Sequence, residues 1–184
     1  VSAMHRRLTG AWKGMFYWTA VAASLFHIGV NTLDFMVMPS VYRNACHMGF
    51  VLALCFLLYP WSKKRPGAGR GIDLFLIAGT IAITFYILIF QQELHLERQS
   101  IPIMRDYIFA AAALAILIVG TWRAGGAIIP VLSIIFISYA LFLGKWIPGV
   151  FHYRGVHPGR LLYRMYLTDE GIFGTICTIS STYV

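Results

Sequence analysis

The chain has 184 residues, of which 59% are hydrophobic and only 12% charged, a composition outside the range of ordinary soluble domains. Fifteen Lys and Arg against seven Asp and Glu give a net charge of +8. The basic residues are scattered between apolar blocks, which excludes a nucleic-acid groove reader and fits loops that face anionic headgroups.

The apolar blocks run at about 12–33, 42–59, 73–90, 107–121 and 126–143. The longer ones suffice to cross a hydrocarbon core, and the shorter ones do so with flanking aromatic residues. Leu74 to Phe90 shows no polar face at helical spacing, as expected of a segment surrounded by lipid. No signal-peptide cleavage pattern follows the first block, which is expected to stay as an anchor. The fold expected is therefore all-α and integral to the membrane, with about five transmembrane helices. Arg6, Arg7 and Lys13 before the first block, and Lys63, Lys64, Arg65 and Arg70 after the second, place those ends in the cytoplasm by the positive-inside rule. The loops carrying Asp34 and Arg43, and then Glu93, Glu97 and Asp106, fall outside. An odd fifth span returns the chain to the outside near Pro148 and Gly149, leaving Lys145, Arg154, Arg160 and Arg164 there against the rule.

In that late loop Pro158 is placed to open a short helix. Leu161 with Met165, and Leu162 with Tyr166, repeat at four residues, while Arg160 and Arg164 share another face. An amphipathic helix lying at the interface is predicted, with a docking surface for an outside partner as its functional counterpart. Arg154, His157, Arg160 and Arg164 are the candidate docking residues. The run from Gly171 to Val184 is only about fourteen residues, against roughly 20 for a span, so it either dips into the membrane or begins a longer segment. Asp169 and Glu170 followed by Gly171 and Gly174 are what a re-entrant or broken helix requires; the alternative is a plain interfacial turn.

Polar residues within spans are expensive, which singles out His27, Asn31 and Asp34 at the end of the first block and Arg43 and His47 near the start of the second. His27 and His47 either hydrogen-bond neighbouring helices or, as the alternative, hold a haem between them. Asp73 and Arg123 are read as marking helix ends, with a mutual ion pair as the other option. Ala111 and Ala115 are expected to let two helices approach. Cys46, Cys55 and Cys177 form no CxxC and are read as small packing residues, with no disulfide framework or zinc site. RPGAGRG lacks a preceding strand and a following GK[ST], so it is a flexible turn and not a phosphate loop. No Ser-His-Asp order, HExxH or paired intramembrane carboxylates occur, and no enzyme is expected.

RRLTGAWK, Arg43, His47 and GFVLALCFLLYP (Gly49 to Pro60), then YALFLGKWIPG (Tyr139 to Gly149), HYRGVHPGRLLYRMYLTDEGIFG and SSTYV, resemble the start of fused permease subunits of tripartite ATP-independent periplasmic (TRAP) transporters of the TAXI type. The resemblance covers nearly the whole chain. It departs at Ile176 and Thr178, where the family tends to have a proline and a glycine, and at Val119, where an acidic residue is common. It implies a small four-helix region (1–121), a connector helix (122–149), and an interfacial helix leading into the large transport region (150–184). It further implies a multi-pass protein of a bacterial or archaeal cytoplasmic membrane with a cytoplasmic N-terminus. The function implied is Na+-coupled uptake of small organic acids delivered by a periplasmic binding protein. This portion would serve mainly as scaffold, in contact with lipid and with the remainder of the large permease region. No cofactor is expected to be bound here, and the Na+ and substrate sites would lie beyond Val184. The alternatives are a small haem-binding redox subunit using His27 and His47 and a purely structural assembly subunit.

Overall fold

Apolar runs punctuated by Gly, Pro and charged residues leave the backbone to satisfy its own hydrogen bonds, which a helix does within one segment. A computed structural model describes residues 8–32, 39–61, 69–97, 101–168 and 170–183, and among these there is helix and no strand. The helices are α1 (Ala11–Thr32), α2 (Ser40–Leu58), α3 (Arg70–Gln92), α4 (Met104–Gly125), α5 (Ile128–Leu141), α6 (Pro158–Tyr166) and α7 (Thr175–Tyr183). A π-helical turn, Glu93–Glu97, prolongs α3, and two 3-10 turns, Leu143–Lys145 and Gly149–Phe151, follow α5. Arg6, Arg7, Asp34, Lys63, Lys64, Arg65, Asp169 and Val184 lie outside the described residues.

Three helices, α2, α3 and α4, are long and apolar enough to cross a bilayer, the composition of a membrane-embedded protein. Of the five spans expected, these three are the ones that, among the described residues, have both the length and the apolarity of a span. Helix α1 has 22 residues, but Trp12, Lys13, Tyr17, Trp18, His27 and Asn31 lower its hydropathy. Helix α5 is strongly apolar but has 14 residues, a length of about 21 Å at 1.5 Å per residue, short of a core about 30 Å thick.

Helix α2 is central, packing on α1, α3, α4 and α7, while α5 and α6 lie against α4. The interior has two parts. Phe56, Leu57, Leu76, Ile77 and Ile116 fill the end of the bundle that carries the α2–α3 and α4–α5 connections. Ala45, Tyr86, Ile87, Leu94, Ala110, Ala113, Tyr166, Leu167 and Phe173 fill the other. Small residues set the close approaches. A Cβ on Gly79 would come within 2.9 Å of Ile116, and one on Gly120 within 2.8 Å of Leu52, so α3 and α2 sit tightly on α4 at these points. The alanines that face the interior are Ala110 and Ala113, whereas Ala111 and Ala115 are exposed. The expected small-residue pair is therefore off by a fraction of a turn, because four consecutive alanines leave the buried face undetermined by sequence.

At the first end of the bundle Asp73, in the opening turn of α3, and Arg123, in the last turn of α4, form an ion pair of 2.6 Å with side chains 0% and 4% exposed. Arg123 also donates to the Tyr59 carbonyl at 3.3 Å and lies over the rings of Phe56 and Trp61. Its Nε and Nη2 have no hydrogen-bond partner, so the aromatic faces carry part of its stabilisation. The ion-pair option holds, and Arg123 belongs to α4 itself, which runs four residues past the predicted end.

At the opposite end Asp106 caps α4, accepting from the Ile103 backbone at 2.7 Å and from the Tyr86 hydroxyl. Arg105 bridges to Glu93 at 2.7 Å across the π turn and covers the Phe90 ring. After α5 the chain doubles back, with Tyr153 donating to Gly144 and Val156 to Ala140, each at 2.9 Å. Gly155 sits at φ 81 against the Leu141 carbonyl, a left-handed position that only glycine occupies without strain.

Candidate functional site: the strap across one end of the bundle

Residues 158–183 form a strap across the end of the bundle that carries the α1–α2 and α3–α4 connections. Pro158 occupies the first helical position, and His157 caps α6 by accepting from the Gly159 backbone at 3.2 Å, an arrangement in which proline sacrifices no hydrogen bond. Leu162 and Tyr163 pack on the interior and Tyr166 is fully buried. The Tyr166 hydroxyl donates to the Ile83 carbonyl at 2.8 Å, inside α3. Burial, with Tyr86 adding, pushes the Tyr166 hydroxyl well above the ordinary tyrosine range, so it remains a donor. Helix α6 is amphipathic as predicted, with Arg160 and Arg164 on its exposed side.

A tight turn follows. The Leu167 carbonyl accepts from Gln91 at 3.2 Å and Ile172 donates to Met165 at 2.8 Å. Gly171 lies so close that a Cβ there would meet the Met165 carbonyl at 2.5 Å and the Arg164 carbonyl at 2.6 Å. Phe173 then plugs the interior beside Tyr166, ring centroids 5.8 Å apart.

Helix α7 is held by side chains from α1 and α2. Asn44, fully buried, donates to the Phe173 carbonyl at 2.8 Å and to Thr178 Oγ1 at 2.7 Å, and accepts from Ser181 at 2.7 Å. Asn31 donates to the Ser181 carbonyl at 2.9 Å. His47 Nε2 meets Ser180 Oγ at 3.0 Å, and its Nδ1 meets His27 Nε2 at 2.8 Å. His27 Nδ1 in turn reaches the Ala23 carbonyl at 2.6 Å. Two axial imidazoles need about 2 Å each to an iron between them, a gap of roughly 4 Å between the nitrogens. The 2.8 Å contact leaves no room for it, so the rings do not fit a haem in this arrangement. Hydrogen bonding between helices is what they do here.

No protein-family model, curated protein or solved structure matches this chain.

The four candidate docking residues separate into two settings. His157 and Arg160 line an open groove of about 630 Å³, together with Pro102, Tyr107, Tyr153 and Tyr163. Arg154 is exposed but is not among its lining residues. Arg164, a turn further along the exposed side of α6, is not among the groove's lining residues and lies 3.6 Å from Glu170, both side chains well exposed. Of the residues marking the closing segment, Glu170 makes that ion pair, Gly171 forms the tight turn, Gly174 is buried before α7, and Asp169 lies outside the described residues. The three tyrosines of the groove and the hydrogen-bond network around Asn44 escaped sequence reasoning. Asn44, next to Arg43 within an apolar span, carried the same signal of an expensive polar group that singled out His27. Among the described residues no three His, Cys, Asp or Glu side chains converge to hold a metal ion, and no residue is assigned to Na+.

Proposed function

We propose that this chain is a membrane permease component of a TRAP-type secondary transporter, one that takes up small organic acids handed over by a periplasmic binding protein, with this portion acting mainly as scaffold. The observation that carries the reading is the strap. A glycine-bearing turn between two nine-residue helices has its Leu167 and Phe173 carbonyls satisfied by Gln91 and Asn44, and the helix that follows it is held by Asn31 and His47. Irregular backbone at membrane depth is tolerated only when covered in this way, and short helices broken at such turns are the building elements of transport regions. The sequence resemblance, which spans nearly all of the chain, supplies the transporter class.

On this reading α1 and α5 join the three long apolar helices as spans, aided by flanking aromatics and by neighbours, and the N-terminus is cytoplasmic in a bacterial or archaeal inner membrane. The strap and the groove at Tyr107 and Arg160 then face the periplasm, where the binding protein docks, with Arg154, His157, Arg160 and Arg164 as the contact face. Lipid covers the apolar helix faces, Na+ is the coupling ion, and the remainder of the large permease region adjoins α6 and α7. Reconstitution of the complete transporter with its binding protein and an organic acid tests the proposal. Na+-dependent uptake is expected, and docking should weaken when Arg160 and Arg164 are both changed to Glu. Uptake indifferent to Na+ and to the binding protein would overturn the transporter reading, and unchanged docking would overturn the assignment of the face.

A further inference from the structure

The hydrogen bonds around His27 and His47 fix where their protons lie. A carbonyl only accepts, so His27 Nδ1 must donate to Ala23 at 2.6 Å. A neutral imidazole has one N–H, which leaves His27 Nε2 as the acceptor in its 2.8 Å contact with His47. His47 Nδ1 therefore donates, and its Nε2 accepts from the Ser180 hydroxyl at 3.0 Å. The chain of donors runs one way, from Ser180 on α7 through His47 on α2 to His27 on α1.

We infer that His27, His47 and Ser180 form a binding site for a single proton, loaded through Ser180 and held between the two imidazoles. The rings are buried, 7% and 6% exposed, while Ser180 is half-buried and so forms the outlet to the surroundings. Loading is balanced at every atom. A hydronium gives its proton to Ser180 Oγ, whose own proton passes to His47 Nε2, and the His47 Nδ1 proton is then shared with His27 Nε2. The site gains one proton and one positive charge, water leaves, and Ser180 ends as an acceptor instead of a donor. A second proton is excluded by geometry, because His27 Nε2 and His47 Nδ1 would then both carry hydrogens into a 2.8 Å gap.

The other titratable or charged groups within two turns on the packed elements, among the described residues, are Tyr42, Arg43 and Cys46 on α2 and Cys177 and Tyr183 on α7. No carboxylate among them stands ready to neutralise an added charge. This site is independent of the transport proposal, since it rests on hydrogen-bond directions alone.

The test is nitrogen NMR of the 184-residue chain labelled with 15N-histidine in phospholipid nanodiscs, titrated from about pH 8 to about pH 4 to cover the histidine range. His27→Gln and His47→Gln serve only to assign signals. At the alkaline end both rings should show the proton on Nδ1, and in acid the pair should gain one proton in total, divided between them. Two fully charged rings, two rings that stay neutral to the acid limit, or an Nε2-protonated tautomer at the alkaline end would each overturn the site. Ser180→Ala should keep the one-proton capacity and slow proton exchange at His47 by at least about tenfold, the size expected of losing a positioned proton-transfer group. Unchanged exchange would remove Ser180 as the outlet.

Discussion

Asn44 is where the strap is most open to test. Its side chain makes three hydrogen bonds to the closing segment, to Phe173 just before α7 and to Thr178 and Ser181 within it, at 2.7 to 2.8 Å, and it is fully buried. Replacing it with alanine removes all three. Interhelical hydrogen bonds in membrane bundles are worth about 0.6 kcal/mol each on average, and bonds in soluble proteins nearer 1 kcal/mol. Ser181 keeps a bond to the Thr178 carbonyl at 3.0 Å, so the loss lies near the lower end, about 2 kcal/mol. At 1.4 kcal/mol per tenfold this raises the undocked fraction of α7 by about 30-fold. Cys177 reports it directly, being buried on α7 with its thiol toward the Asn44 carbonyl. With Cys46 and Cys55 changed to alanine, modification of Cys177 by a small maleimide proceeds through the undocked state, and its rate should rise by that factor in Asn44→Ala. A rise of less than about threefold, with helix content and expression unchanged, would show that the network does not hold α7 and would refute the reasoning.

Changing Arg123 to Met should cost about 3–5 kcal/mol, since it removes the cationic partner of a buried carboxylate, and should lower the melting temperature in detergent. Adding Asp73→Asn to that variant should recover a large part of the loss. Gly171→Ala should loosen the strap, because the new methyl would overlap the Arg164 and Met165 carbonyls; limited proteolysis after residue 157 reads this out, and a cleavage pattern like the unaltered chain's would count against the packing described. Tyr86→Phe should destabilise by about 1–3 kcal/mol through the lost bond to buried Asp106, while the cap at Ile103 persists; denaturant titration of helix content checks both parts.

The helices were legible because an apolar run bounded by charge or proline has one outcome in lipid, and α2 starts and ends within two residues of its predicted limits. Boundaries failed where polar residues are helical for tertiary reasons. Met104 and Arg105 were read as loop, yet Asp106 caps them into α4 and Glu93 holds Arg105. The polar residues in spans were visible as expensive, but their partners in the strap were not, because those groups lie 129 to 150 positions away. Spacing along a helix reveals a face, and it says nothing about which later segment will cover that face. Hence a haem between His27 and His47 stayed open as the alternative reading until their mutual distance was known, and the groove tyrosines, coming from α4, α6 and the turn after α5, had no common pattern to betray them.

The separation between Asn44 and α7 also orders events during synthesis. With 129 to 150 residues between partners and a ribosome adding about 5–20 residues per second, Asn31, Asn44 and His47 wait on the order of ten seconds before their cover emerges. During that interval the Asn31 and Asn44 amides and His47 Nε2 lack the partners at residues 173–181 that satisfy them in the folded chain, whereas His27 already has its bonds to Ala23 and His47. Completion of the strap is thus the step that gives those groups their native partners.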